Sequence, residues 1–259
     1  MTGPAGSGAG DGAGDGAGIR RVVLARTDST NAEALRRLAA GEAAPFWVLA
    51  DRQTAGRGRR GRPWVSPAGN FYGSVALRPG GDAGQAALRS FTAALALAET
   101  LDGLGLDPAR LALKWPNDVL LDGRKLAGIL LEGTSQRGAL ALVVGIGVNL
   151  ASAPPPGAVE PGAVPPVALA EAGLRLTPDA FLDALAPRFA ALEAEFAARG
   201  FEPIRAAWLA RAARLGQQIT ARLPGRQITG RFETVDETGA VVLDTPAGRQ
   251  HLPAADIHF

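Results

Sequence analysis

The 259-residue chain carries 27 Lys and Arg against 25 Asp and Glu, a formal net charge of +2, with two histidines and no cysteine. Almost nothing titrates between neutrality and the lysines, so this small excess lifts the sequence pI to about 9.6 without making the chain strongly basic. The lack of cysteine excludes disulfides, thiol nucleophiles and thiolate metal sites and fits a reducing, cytoplasmic compartment. With His251 and His258 both in the last nine residues, a Ser/His/Asp triad or an H-E-x-x-H zinc site is not expected.

Residues 1–18 are mostly Gly and Ala with Asp11 and Asp15. They lack the basic start and apolar centre of a signal peptide and read as a disordered tail. Arg21–Ala25 reads as a strand. The capping cluster Asp28-Ser29-Thr30-Asn31 follows, opening a helix with Leu35 and Leu38 on its apolar face and Gly41 as its stop.

After the apolar run Phe46–Ala50 comes Gly56-Arg57-Gly58-Arg59-Arg60-Gly61-Arg62-Pro63-Trp64. Glycines let backbone N–H groups approach a ligand, and arginines fork onto phosphate or carboxylate oxygens, so this loop is built to wrap an anion. Its spacing satisfies Gly-x-Gly-x-x-Gly, but five residues, Asp51–Ala55, part it from the preceding strand, and Pro63 and Pro67 stand where a helix should open. The dinucleotide fold is therefore disfavoured. A nucleic-acid patch would need more than one basic loop, since the positive charge is local.

Phe71, Gly73, Val75 and Leu77 alternate as in a half-buried strand, and Gln85 to Leu104 reads as a long helix. Leu111–Trp115 reads as a strand, and Val119–Leu121 and Leu126–Leu131 form a hairpin about Asp122-Gly123-Arg124. Lys114-Trp115-Pro116-Asn117-Asp118 and Lys125 flank this hairpin. A lysine in an apolar strand either meets an anion or snorkels to the surface, and spacing leaves both open. Asn117 and Asp118 could hold magnesium or orient an amine.

Ala139–Leu150 is apolar enough for a central strand, and the glycines of Gly145-Ile146-Gly147-Val148-Asn149 suggest close approach of a ligand or backbone. The Pro- and Gly-rich stretch from Ala153 to Pro166 reads as a loop. Thr177-Pro178 reads as a helix cap, with Phe181, Leu185, Phe189, Leu192 and Phe196 behind it as core. From Gln217, short strands with turns at Pro224-Gly225, Thr238-Gly239 and Ala247-Gly248 describe a small β barrel of about forty residues. No run approaches the roughly eighteen apolar residues of a membrane helix.

Taken together, Ser29-Thr30-Asn31, Gln53, the Gly56–Arg62 loop with Trp64, Lys114–Asp118, Lys125–Leu130 and Gly147-Val148-Asn149 resemble the biotin protein ligases in order and spacing. The resemblance implies an α/β fold: a mixed-sheet catalytic domain of the class II aminoacyl-tRNA synthetase/biotin ligase type over 19–214 and an SH3-like barrel over 215–259. Some members add an N-terminal winged helix that represses transcription. The Gly/Ala tail here resembles the monofunctional kind, with no DNA or membrane partner expected.

The resemblance further implies ATP and biotin as substrates, Mg²⁺, a biotinyl-5′-AMP intermediate and a biotin carboxyl carrier protein as acceptor. Ser29, Thr30, Asn31 and Gln53 would meet the biotin head group, and Gly56, Arg57, Gly58 and Arg59 the carboxylate, phosphate and adenylate. Lys125 would bridge the reacting oxygens, and Trp64 would pack on the adenine or close the loop. Asn117 and Asp118 would serve magnesium or the incoming lysine, Gly128 would admit the ligand, and Lys114 and Asn149 would complete the site. Lipoate or octanoate ligases share the fold and the chemistry, but their glycine-triplet motif is missing. Deleting residues 1–18 should leave adenylate formation and carrier labelling unchanged, because this composition cannot pack or present a reactive group. Side-by-side rate assays of full-length and truncated protein check this.

Overall fold

The computed structural model describes residues 20–136, 138–159 and 163–258. The 1–18 tail lies outside them. The first layer is a seven-stranded sheet of β1 (Arg20–Leu24), β2 (Phe46–Ala50), β3 (Phe71–Leu77), β4 (Leu111–Lys114), β5 (Asp118–Leu121), β6 (Arg124–Gln136) and β7 (Ala139–Val148). Its order is β1-β2-β3-β7-β6-β5-β4, with only β1 and β2 parallel. β7 therefore lies at the centre of the sheet, as its apolar run implies.

Both faces of this sheet are covered. Helix α1 (Thr30–Ala39) buries Ala34 and Leu38 against Phe46, Val48, Ala76, Ala141 and Val143 on one face. The opposite face packs on α3 (Arg89–Gly103), which follows the short α2 (Ala83–Ala87), and on α4 (Pro178–Arg199). The predicted single helix from Gln85 thus begins earlier and in two pieces, with Asp82 accepting from Gln85 N at 2.8 Å as the cap of α2. Double coverage also explains why β3 is buried at every position, where alternation suggested a half-buried strand.

Helix α4 starts as its sequence implies, with Thr177 accepting from Ala180 N and Pro178 in the first turn. Its Phe181 and Phe189 meet Phe71 and Trp47 edge-on at 5.1 and 5.8 Å, a geometry favourable for aromatic pairs. Arg89 is buried but satisfied: Nε and Nη2 donate to Glu193 Oε1 at 3.0 and 2.9 Å, and the guanidinium lies over Phe196. After α5 (Phe201–Leu209), the main chain at Arg211 and Ala213 bonds Leu113 and covers the β4 edge.

The second sheet comprises β8 (Gln218–Leu223), β9 (Arg226–Val235), β10 (Val241–Thr245), β11 (Gly248–Leu252) and β12 (Asp256–His258). It is antiparallel throughout, in the order β11-β10-β9-β8-β12. Trp115 Nε1 donates to Gly239 O at 2.9 Å, and Phe232, Val235 and Leu243 join the core beneath α3, so the two sheets share one apolar interior. Strand β12 returns to β8 and sets Asp256 beside the arginine-glycine loop. No helix among the described residues is long and apolar enough to cross a membrane.

Candidate active site

A cleft of about 710 Å³ opens on the sheet face beside the N-terminus of α1. Gly128 pairs with Gly147 and Leu130 with Gly145 across β6 and β7, and the alternation of strands puts all four on this face. Two of these glycines are required by close approach. A Cβ on Gly145 would lie 2.1 Å from Asn31 Oδ1, and one on Gly147 would lie 2.7 Å from the Trp64 ring. Trp64 also lies against Gly128, so its indole rests on bare backbone with its own Nε1 buried and unpartnered among the described residues.

At the head of α1 the capping residues serve the cleft more than the helix. Ser29 occupies the cap position, but its hydroxyl caps nothing. Gln53 Oε1 takes over that task, accepting from Thr30 N at 2.9 Å and Thr30 Oγ1 at 3.1 Å, while its Nε2 donates to Ser66 Oγ. Ser29, Thr30 and Asn31 are all buried, and all three line the cleft.

The arginine-glycine loop is a tight ribbon. Gly58 N donates to Arg62 O and Trp64 N to Gly56 O at 2.7 and 2.9 Å, and Arg57 bridges Pro63. Gly56 is buried under the Trp64 carbonyl, 2.8 Å from where its Cβ would stand, and supports the loop without lining the cleft. Arg60, at φ +57°, turns the tip and pairs with Asp256, which also accepts from Arg62 at 3.1 Å. Arg59 is half-buried with no ion pair among the described residues. Burial holds its guanidinium below the usual range, against the opposing pull of Asp256.

Across the cleft, Asp118 Oδ1 lies 2.7 Å from Lys125 Nζ, and Asp118 Oδ2 lies 3.9 Å from Lys114 Nζ. Lys114 stays buried instead of snorkelling, and burial pushes its ammonium downward despite Asp118. Lys125 Nζ stands 5.6 Å over the Trp64 ring. Asn117 Nδ2 donates to Ile129 O at 2.6 Å and clips the turn to β6. Asn149 is buried, its Nδ2 donating to Val167 O. A resident magnesium does not fit here, because the Asp118 carboxylate is already set against two ammonium groups. Among the described residues no cluster of three or more His, Asp or Glu could hold a metal.

The biotin/lipoate A/B protein ligase family model matches residues 23–149, and the biotin protein ligase C-terminal domain matches 215–259. A biotin–[acetyl-CoA-carboxylase] ligase of Paracoccus denitrificans is 60% identical over 92% of this chain and 99% of its own length. This chain is a member of the biotin protein ligase family. A Mycobacterium tuberculosis ligase of the same description is 37% identical over 91% of the chain and 87% of its own length. The Aquifex aeolicus biotin protein ligase, solved in complex with biotin and ATP, superposes with a TM-score of 0.77 at 26% identity over 92% of this chain and 97% of that one.

Within this family fold, every residue given a site role in the sequence analysis except Gly56 lines this cleft: Ser29, Thr30, Asn31, Gln53, Arg57, Gly58, Arg59, Trp64, Lys114, Asn117, Asp118, Lys125, Gly128 and Asn149. Sequence reasoning missed three contributors. Ser74 and Glu132 are polar residues in apolar strands, a signal that was available. Asp256 carried none, because its role depends on β12 folding back across the molecule. The Pro-rich stretch is also more than a boundary, since Val167 N and Pro165 O bond the main chain of Lys125 and residues 163–166 wall the cleft.

Proposed function

We propose that this chain activates biotin with ATP and transfers it to a lysine of a biotin carboxyl carrier protein, of acetyl-CoA carboxylase or a related carboxylase, in the cytoplasm. One observation carries the reading: a glycine-floored pocket of hydroxyls and amides opens directly onto Arg57, Arg59, Lys114 and Lys125. We take 19–214 as the catalytic unit and 215–259 as an appended barrel.

In the first step a biotin carboxylate oxygen attacks the α-phosphorus of ATP, and the bond to the pyrophosphate oxygen breaks. Two anions must meet, so cations fixed in advance do the work and no protein nucleophile is needed. Ser29, Thr30, Asn31 and Gln53 offer the donors and acceptors that a ureido head group matches. Arg57, Gly58 and Arg59 hold the carboxylate and α-phosphate, and Lys125 neutralises the charge between them. Trp64 covers the adenylate. Magnesium enters as part of the nucleotide substrate, with Lys114 completing the positive wall.

In the second step the carrier's lysine nitrogen attacks the acyl carbon, AMP leaves with the bonding electrons, and the amine gives up a proton. Asp118, between Lys114 and Lys125, is the carboxylate that faces the incoming amine in this reading. The purified enzyme with ATP, biotin and a carrier domain should attach one biotinyl group, seen by intact mass. Equal labelling of a carrier whose target lysine is alanine would contradict the proposal.

The head-group pocket carries its own prediction. Gly145→Ala would drive a methyl into the Asn31 carboxamide and should weaken biotin binding by about 10-fold or more, the scale of one lost oriented hydrogen bond. Calorimetric titration with biotin reads this directly.

A further inference from the structure

A chain of polar contacts at hydrogen-bond distance runs under the pocket and ends on a group outside the reading above. Asn31 Nδ2 donates to Glu132 Oε2 at 2.8 Å and to Leu130 O at 3.2 Å. Asn31 Oδ1 lies 2.6 Å from Ser74 Oγ, which lies 2.7 Å from Thr30 Oγ1. Thr30 in turn meets Gln53, and Gln53 meets Ser66. The other Glu132 oxygen stands 3.3 Å from Arg57 Nη2.

A carboxylate only accepts, so its place at the end of this chain sets which way the Asn31 amide turns. With Glu132 facing the Asn31 amide nitrogen, Oδ1 turns to Ser74 and competes with Thr30 Oγ1 for the single Ser74 proton. The Thr30 hydroxyl, which gives its own proton to Gln53 Oε1, then shares the Ser74 donor with Asn31 and keeps acceptor capacity for a ligand N–H. With the amide reversed, Ser74 would spend its proton on Thr30 and Asn31 would turn an oxygen toward two acceptors. Geometry favours the first state from both sides. Ser74 and Asn31 are buried, so a wrongly directed proton has no water to correct it.

We propose that Glu132 is a positioning residue that sets the donor–acceptor pattern of the head-group pocket through Asn31 and Ser74. The proposal rests on the assignment of biotin to this pocket. Its contact with Arg57 is partly exposed and adds little by itself.

The test measures biotin dissociation constants without ATP, so that the phosphate side is silent, with thermal melts to confirm folding. Glu132→Met removes the acceptor and should weaken biotin by about 10-fold, whereas Glu132→Gln keeps an acceptor and should stay within about 3-fold of wild type. On an Asn31→Ala background, Glu132→Met should add less than about 2-fold, because the two act through one link. A general structural defect would add its full effect there. Wild-type affinity in Glu132→Met, or equal losses on both backgrounds, overturns the proposal. If Glu132→Met does not fold, Ser74→Ala breaks the same chain one link on, and unchanged biotin affinity in it overturns the proposal equally. Should Asn31→Ala and Thr30→Val both bind biotin as wild type does, the pocket assignment itself fails.

Discussion

Lys125→Met should fold and yet form biotinyl-5′-AMP about 10²-fold or more slowly, the loss expected when a fixed electrostatic group is removed from the site of developing charge. Methionine keeps most of the side-chain volume, and the lysine is partly exposed, so packing changes little. What disappears is the ammonium that lies 2.7 Å from Asp118 and over the Trp64 ring. Asp118 then faces the reacting anions with only the more distant Lys114 to balance it. Single-turnover adenylate formation checks this. Near-normal rates in the folded variant would mean that Lys125 only holds Asp118.

Arg59→Gly should release the intermediate. The mixed anhydride reacts with any amine or water, so the enzyme must hold it until the carrier arrives. The neighbouring Arg60 and Arg62 are engaged with Asp256, whereas Arg59 lines the cleft without an ion pair among the described residues. The loop is thus tied to the second sheet at its tip and offers Arg59 to the ligand. Glycine deletes that charge-assisted contact and loosens the turn, weakening retention by about 1.5–3 kcal/mol, or one to two orders of magnitude. Incubation with biotin, ATP and a protein that is not a carrier should show biotin on the bystander with the variant and far less with wild type. Equal labelling, with adenylate still made, would contradict retention by Arg59.

The cleft was legible in the sequence because its chemistry is concentrated in short segments that each form one local structure. Ser29-Thr30-Asn31 opens a helix, the Gly56–Arg62 run forms a ribbon, and Lys114–Asp118 forms a turn, so each carries its meaning within a few residues. The strand glycines announced close approach, although what approaches Gly145 is the protein's own Asn31.

Long-range pairings were not legible. Asp256 meets Arg60 across 196 positions and Glu132 meets Asn31 across 101, and no local periodicity reports such a contact. The full burial of β3 was likewise not legible, because alternation on a doubly covered strand reflects side-chain size and not solvent. Asn117 and Asp118 show the same limit. Their types fit a magnesium pair, but the fold ties the Nδ2 of Asn117 to Ile129 O and sets Asp118 between two lysines, a charge balance that local sequence does not report.

The central claim is that this cleft joins biotin to the α-phosphate of ATP. Labelled pyrophosphate exchange into ATP measures that step alone, without a carrier protein. Exchange should depend on biotin, fail with lipoate or octanoate in its place, and fall by about 10²-fold or more in Lys125→Met. Exchange supported by lipoate as well as by biotin, or independent of either acid, would contradict the account.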